Sequence, residues 1–278
     1  MMESALKEVL QEIVDNEYEV PNERDYEQLT NEMLDNIGVV DPVLRDELIY
    51  MVLANWIMDD QYNKDELKQI LNICLDEDHL YYKLGSKEDD TVFTRTFSAL
   101  IVAVLFHKDN EDDFLNTQEF QDAASKVFNY YSEEKDLRGY IEGKGWAHSA
   151  AHGADILAEI GKSKKAQKRQ LMKLLQAIID KAQVADHIYY NAEDERMAKA
   201  VKNTMKNINL DDESINKWFR DITNIKRVNE RNKYDTLLFN LKNILKSLYF
   251  EIISDDVIND KYLILITDSL KELDQKRF

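Results

Sequence analysis

The chain of 278 residues is 44% hydrophobic, which is enough for a substantial buried core and excludes a wholly disordered protein. Only 7 glycines and 2 prolines occur, too few for the tight turns of an all-β protein or for a nucleotide-binding α/β fold. The single cysteine excludes a disulfide framework and a cysteine-rich zinc module.

The net charge of −18 is carried by the first half of the chain. Residues 1–145 hold 34 acidic residues against 13 Lys and Arg, whereas residues 146–278 hold 20 against 23. Because so acidic a chain repels phosphate backbones, nucleic acid is disfavoured as a partner. The most apolar run, residues 100–106, is too short to cross a bilayer, and residues 1–14 show an amphipathic pattern rather than a basic and apolar leader. We therefore expect an acidic, cytoplasmic protein with no membrane segment.

The first four elements in chain order are predicted helices, each with a recognisable terminus followed by apolar residues at helical spacing. The signals are Ser4 as an N-cap, a helix from about Asn22 to the C′ residue Gly38, the Asp41-Pro42 start of a third helix, and the Asn63-x-x-Glu66 capping box of a fourth.

A fifth helix, about residues 90–107, is apolar almost all round, which predicts a central position. Seven further helices are predicted at residues 117–131, 146–160, 165–182, 193–208, 212–225, 231–252 and 256–275. The twelve helices form six pairs joined by short polar connections. This period is typical of an α/α superhelix, a HEAT- or armadillo-like solenoid. Since no linker divides the chain, we predict an all-α fold with a single helical-repeat domain over residues 1–278.

A five-residue motif occurs twice. Asp78-His79-Leu80-Tyr81-Tyr82 returns as Asp186-His187-Ile188-Tyr189-Tyr190, and an acidic cluster and another helix follow each copy. The repeat predicts that helices 3–5 and helices 7–9 are equivalent units. Because every even-to-odd connection of such a stack emerges at one end, both motifs and the 132–145 loop should share that end. In the alternative interpretation, the motif residues only pack and tie down their loops.

Four of the seven glycines, Gly139, Gly143, Gly145 and Gly153, fall close together in a chain otherwise poor in glycine. This clustering indicates a backbone that bends sharply or is closely approached. A P-loop is excluded, because its Gly-x4-Gly-Lys-Ser/Thr spacing is absent. We expect a functional site within residues 138–155.

His148, His152 and Asp155 stand at positions i, i+4 and i+7, on one stripe of the predicted helix. Two imidazoles at this spacing can bind a divalent metal, with the carboxylate as a ligand or an outer partner. A zincin is excluded, because Ser149 stands where its motif requires glutamate. A third ligand would come from another helix. The candidates are Asp194, Glu195 and His187. Alternatively, both imidazoles hydrogen-bond loop carbonyls and Asp155 pairs with Arg138.

Three stretches carry a resemblance to a known family. They read Arg-Gly-Tyr at 138–140, Gly-Lys-Gly-Trp-Ala-His-Ser at 143–149 and Ala-His-Gly-Ala-Asp at 151–155, with flanking matches at 92–100 and 194–196. The chain resembles a bacterial family of uncharacterised all-α proteins, a domain of unknown function. The resemblance extends over roughly residues 40–200 and implies a helical protein without naming an activity.

Three classes of function remain open, of which the third is a purely structural interaction protein with no pocket. The first is a binding module for a protein or a small polar ligand, with a polar pocket around residues 138–155. Its ligand-binding residues would be Arg138, Tyr140, Lys144, Trp146, Asp194 and Glu195. The alternative is a metal-assisted or general acid/base hydrolase, in which His148 and His152 bind the metal or carry protons and Asp155 orients them.

Overall fold

Twelve α-helices form within the part of the chain that the structure describes, which confirms the all-α prediction. The computed structural model describes residues 3–21, 25–226, 228–255 and 261–276. The helices are α1 (Glu3–Asp15), α2 (Tyr26–Asp35), α3 (Tyr50–Met58), α4 (Lys64–Cys74), α5 (Thr91–Asp112), α6 (Thr117–Glu133), α7 (Ser149–Lys162), α8 (Lys168–Ala182), α9 (Glu193–Met205), α10 (Asp212–Ile222), α11 (Arg231–Ile253) and α12 (Lys261–Gln275).

The helices pack in two series. Helices α3, α5, α7, α9 and α11 contact one another in chain order, and so do α6, α8, α10 and α12. Contacts of α7 with α6 and α8, and of α8 with α9, join the two series. One continuous cluster of buried apolar side chains extends from Leu6 to Leu273. The candidate site lies where α7 begins, between α5 and α9.

Helix α5 is buried on nearly all sides, as its sequence predicts. By length and composition, it is the one helix in the described residues that could cross a membrane. However, 67% of its most apolar stretch of 18 residues is buried inside the protein. Burial of this kind is typical of the core helix of a soluble protein.

The predicted capping box at the start of α4 is confirmed. The Asn63 side chain accepts a hydrogen bond from the Glu66 N–H, and the Glu66 carboxylate accepts one from the Asn63 N–H. Asn116 and Glu119 form the same arrangement at the start of α6. Each box satisfies two of the backbone donors that a helix leaves unpaired at its N-terminus.

Other predicted helix starts differ from the structure. Ser4 is not an N-cap, because α1 already includes Glu3. The predicted starts near Asn22 and residue 256 lie outside the described residues. Within them, α2 begins after Asp25, whose side chain caps the helix.

The Asp41-Pro42 pair opens a π-helical segment, Val43–Ile49, which continues directly into α3. The Asp41 carboxylate accepts a hydrogen bond from the Val43 N–H and so caps the first turn. Such wide turns often occur at functional sites. Here the π-helical segment carries Arg45 and Asp46 against the residues that precede α7.

A two-stranded antiparallel sheet, which the predicted all-α fold did not include, interrupts the helices. Strand β1 (Tyr140–Ile141) pairs with β2 (Gly145–Trp146), and α7 begins at Ser149 rather than at residue 146. Gly143 and Gly145 adopt φ values of +73° and +81°. A right-handed helix cannot include such residues, so the chain reverses at this point. We call residues 138–148 the hairpin.

Candidate functional site

The hairpin packs closely on the π-helical segment at Gly145. A Cβ atom built on this glycine would lie 2.9 Å from Pro42 Cβ and 2.9 Å from Arg45 Nη2. The same Arg45 nitrogen donates a hydrogen bond of 2.7 Å to the Lys144 carbonyl. Glycine is therefore required here both by the positive φ and by the close approach of a second segment.

A buried ion network positions both ends of the hairpin. Arg95 of α5 pairs with Glu134 through two contacts of 2.5 and 3.1 Å, and both side chains are buried. The Glu134 carboxylate also accepts a hydrogen bond from the Asp136 N–H. Asp136 in turn pairs with Arg138 at 2.6 Å, and its carbonyl accepts a hydrogen bond from the Ser149 hydroxyl. The network thus fixes where the hairpin starts and where α7 begins.

His148 ends the hairpin and does not belong to the predicted helical stripe. Its backbone is left-handed, with φ of 48°, and it precedes α7. Its Nε2 atom lies 2.9 Å from the Asn191 carbonyl oxygen. Because a carbonyl only accepts, Nε2 carries the proton and Nδ1 of the neutral ring carries the lone pair. Burial lowers the pKa of His148 to about 4, so the ring is neutral at neutral pH.

His152, in the first turn of α7, lies against His148 and Phe97, with ring centroids at 5.3 and 6.1 Å. Both of its ring nitrogens are buried, and neither has a hydrogen-bond partner among the described residues. An unpaired buried polar atom costs about 1–3 kcal/mol. Two such atoms on one ring point to a bound water or ligand.

Glu193, the first residue of α9, approaches the histidine pair. Its Oε1 atom lies 3.6 Å from His148 Nε2, and its Oε2 atom accepts a hydrogen bond from the Asn191 N–H. Burial raises the pKa of Glu193. The sequence analysis expected a third ligand from another helix, with Asp194, Glu195 and His187 as candidates, whereas the residue that approaches from α9 is Glu193.

Asp155 lies one turn further along α7. Its Oδ2 atom is 3.7 Å from His152 Nδ1, and its Oδ1 atom accepts a hydrogen bond of 3.1 Å from Arg196. The alternative pairing of Asp155 with Arg138 is wrong, because Arg138 pairs with Asp136. The cation beside Asp155 is Arg196, which α9 brings to it through a tertiary contact.

Arg45 and Asp46 complete the polar cluster, and the sequence analysis missed both. The Arg45 guanidinium is buried 4.0 Å from the Phe93 ring centroid, and its Nε lies 2.7 Å from an Asp46 oxygen. Asp46 also accepts a hydrogen bond from the Trp146 N–H, while burial raises its pKa. The available signal was a charged pair inside an apolar helical run, because charges buried there need partners.

A cleft of about 760 Å³ lies beside β1. Its lining residues are Arg138, Gly139, Tyr140, Ile141, Glu142, Ala185, Asp186, His187, Ile188, Tyr190, Asn232, Lys233 and Thr236. We call it the hairpin cleft. His187 Nε2 is buried in its wall without a hydrogen-bond partner in the described part of the chain. The Tyr140 and Tyr190 side chains are 53% and 75% exposed. The structure thus places Arg138 and Tyr140, but not the histidine pair, in the lining.

A row of rings connects the hairpin cleft with the histidine pair. Tyr140 contacts Trp146 edge-to-face, with centroids 5.2 Å apart. Trp146 stacks on His148 at 4.8 Å, and His148 contacts His152. Trp146 therefore lies between the cleft residue Tyr140 and the buried imidazoles.

The remaining predicted ligand-binding residues lie outside the cleft lining. The Lys144 ammonium contacts both Asp90 carboxylate oxygens, at 2.7 and 2.8 Å. Asp194 accepts a hydrogen bond of 2.6 Å from the Ser247 hydroxyl. Glu195 is exposed in the first turn of α9. The contacts of Lys144 and Asp194 thus hold the hairpin and α9 in place.

Both copies of the repeated motif lie at the hairpin end of the helices, as predicted. Lys87, just after the first copy, is 3.9 Å from Asp186 of the second, and Arg138 donates to the backbone between the first copy and α5. The two copies nevertheless differ locally, because Leu80 is fully buried whereas its counterpart Ile188 is exposed. The equivalence of helices 3–5 and 7–9 stays a prediction.

The described residues contain no preformed set of metal ligands at the predicted site. Within residues 3–21, 25–226, 228–255 and 261–276, no group of three or more His, Cys, Asp or Glu side chains is arranged to hold a metal ion. His148, His152 and Glu193 lie close together without forming such a group.

The fold and the site define an all-helical protein with a glycine-dependent hairpin over a buried histidine pair. The chain belongs to the family described as Protein of unknown function (DUF2785), whose model matches residues 80–250. This confirms the resemblance to a domain of unknown function, although the match lies further toward the C-terminus than the expected span of 40–200. Neither a curated protein nor a solved structure matches the chain.

Proposed function

We propose that this protein is a cytoplasmic binding module for a small polar ligand, built as a single α/α superhelix with the hairpin cleft as its site. Two observations support the scaffold. Alternate helices contact one another in chain order in two series, as in helical-repeat proteins, and one apolar core runs through the chain. The acidic composition supports an intracellular, soluble protein.

The observation that carries the binding proposal is the wall of the hairpin cleft. Exposed Tyr140 and Tyr190 offer flat apolar faces with a hydroxyl group at the tip. His187 contributes an unpaired ring nitrogen, and Arg138 a guanidinium that stays charged because Asp136 raises its pKa. Few polar groups beside aromatic faces are typical of small-molecule sites.

The size and charge of the cleft favour one kind of ligand. A volume of about 760 Å³ lies within the range of about 300–1,000 Å³ that is usual for small-molecule sites. Glu142 and Asp186 in its wall disfavour polyanions. The ligand therefore has a ring whose face packs on tyrosine, and polar substituents without a net negative charge. Nucleosides, sugars and aromatic amino acids share this chemistry.

A thermal-shift screen with these three ligand classes tests the proposal. The variants Tyr140→Ala and Tyr190→Ala remove one exposed ring each, and Phe250→Ala removes an exposed ring on α11 outside the cleft lining. We expect a ligand that raises the Tm of the wild type and of Phe250→Ala but not of the tyrosine variants. Equal shifts in all four proteins, or none in the wild type, would contradict the proposal.

A second function is favoured by His152, whose two buried ring nitrogens have no partner among the described residues. In this proposal the histidine pair binds a divalent metal for hydrolysis or moves protons in general acid/base catalysis. A neutral His148 suits metal binding, because no proton has to leave the ring. Glu193 and Asp155 would orient the pair.

Melting curves with and without Zn²⁺ or Mn²⁺ test this second function. The metal should raise the Tm of the wild type and of His107→Ala, a half-exposed histidine on α5 away from the site, but not of His148→Ala or His152→Ala. If the wild-type protein gains no stability from the metal and retains none in elemental analysis, metal binding by the histidine pair is excluded.

A further inference from the structure

A second pocket, separate from the proposed cleft, lies between α6 and α8 and has a volume of about 440 Å³. Its lining residues are Lys87, Phe128, Tyr131, Ser132, Glu134, Lys135, Leu137, Lys173, Gln176, Ala177, Asp180, Lys181, Val184 and Asp186. We call it the lysine pocket. It shares a single lining residue, Asp186, with the hairpin cleft.

The charges in the lysine pocket do not balance. Each of its three carboxylates already faces a cation. The pairs are Glu134 with Arg95 at 2.5 Å, Asp180 with Lys226 at 3.6 Å and Asp186 with Lys87 at 3.9 Å. The exposed Lys135 and Lys173 and the buried Lys181 form no ion pair with any carboxylate of the described residues. Three ammonium groups without counterions thus share one pocket in a chain whose net charge is −18.

Lys181 is the most unusual of these residues, since it is only 7% exposed. Its Nζ atom donates a hydrogen bond of 2.9 Å to the Glu134 carbonyl and lies 4.8 Å from the Tyr131 ring centroid. Neither the carbonyl nor the ring carries a full negative charge, and the nearby Glu134 carboxylate is already paired with Arg95, so the ammonium is buried without an ion-pair partner of its own, which is costly. Burial accordingly lowers the pKa of Lys181 to about 8.

Part of the remaining wall is apolar. Phe128 and Leu137 face the pocket, together with Val184. A ligand must therefore match an apolar wall as well as an excess of positive charge. The ammonium groups of Lys173 and Lys135 do not contact a carboxylate either. Lys173 lies over the Phe128 ring, and Lys135 donates a hydrogen bond to a backbone carbonyl.

We propose that the lysine pocket binds an amphiphilic organic anion, a carboxylate with an apolar chain, whose charged group contacts Lys181. The carboxylate supplies the counterion that the buried ammonium lacks, in a charge-assisted hydrogen bond. The chain packs on Phe128, Leu137 and Val184. The proposal is independent of the hairpin cleft and of the histidine pair.

Calorimetric titration at pH 7 with decanoate tests the proposal, and decyltrimethylammonium is the matched probe with the same chain and the opposite charge. Both are used below the concentrations at which they form micelles. We expect decanoate to bind and the cation not to bind. Lys181→Met should weaken decanoate binding by about tenfold or more, and Lys173→Met by about threefold. Lys199→Met, which removes an exposed lysine of α9 outside the pocket, should bind like the wild type.

Ala177→Phe provides a second test that leaves every charge in place. Ala177 lines the pocket from α8, so a phenyl ring there fills the volume that the chain would occupy. This variant should lose decanoate binding while melting as a folded protein, even if Lys181→Met fails to fold. Binding of the cation as tight as that of decanoate, or no heat of binding in the wild type, would overturn the proposal. So would decanoate binding that Ala177→Phe leaves unchanged.

Discussion

The indole of Trp146 stacks on the imidazole of His148, with ring centroids 4.8 Å apart and 26° between the ring planes. The two residues lie two positions apart in the sequence, after the hairpin turn. In a helix, side chains at this spacing would point in different directions. The stack covers a histidine whose pKa falls to about 4 because it is buried.

Removal of this cover should change the titration of His148. In Trp146→Ala, the imidazole gains access to water, so its pKa should rise from about 4 toward the ordinary value of 6.5. NMR titration of the histidine ring protons measures the shift. Tyr190→Ala, which removes a more exposed ring, should leave the pKa of His148 where it is. A value that stays near 4 in Trp146→Ala would show that other groups bury the ring.

Two glycines of the hairpin provide a matched pair. In Gly143→Ala, the added Cβ atom has no other atom within 4 Å. The variant should lose about 1 kcal/mol of unfolding free energy, because a side chain at positive φ is strained. Gly145→Ala adds a clash with Pro42 and should cost about 2–4 kcal/mol. Urea denaturation of both variants gives the comparison. Equal losses would mean that the π-helical segment moves aside freely.

The buried ion pair under the hairpin should be far more important for stability than an exposed one. Arg95→Met leaves the Glu134 carboxylate buried without its cation and should cost about 3–5 kcal/mol. Lys217→Met breaks the exposed pair with Asp221 on α10 and should cost less than about 0.5 kcal/mol. The free energies of unfolding from denaturant titrations test the difference. A loss below about 1 kcal/mol for Arg95→Met would contradict it.

Lys181 should give stability a distinctive pH dependence. Its pKa is about 8 in the folded chain and 10.5 ordinarily, so between these values the unfolded chain binds more protons. The free energy of unfolding should therefore rise with pH across this window, by up to about 3 kcal/mol relative to Lys181→Met. The difference between wild type and variant, measured from pH 7 to 10.5, isolates this group. A constant difference would show that Lys181 keeps its ordinary pKa.

Local signals predicted the helices well where the decisive contacts are local. The Asn63 and Glu66 capping box joins residues three apart, and α5 is recognisable because its own residues are apolar on all sides. The hairpin was not predicted, because each strand has only two residues and shows no alternation. The glycine cluster indicated an unusual backbone there, but not its direction.

By itself, the sequence determined that the protein is all-helical and that its unusual backbone lies within residues 138–155, because helix propensity, capping and glycine content act over a few residues. Only the tertiary structure decided that His148 leaves the helix, that Arg196 rather than Arg138 pairs with Asp155, and that four lysines share one pocket. The ion pair of Arg196 with Asp155, for example, joins positions 41 residues apart. Burial and charge pairing at such distances depend on how the helices pack, which no local pattern encodes.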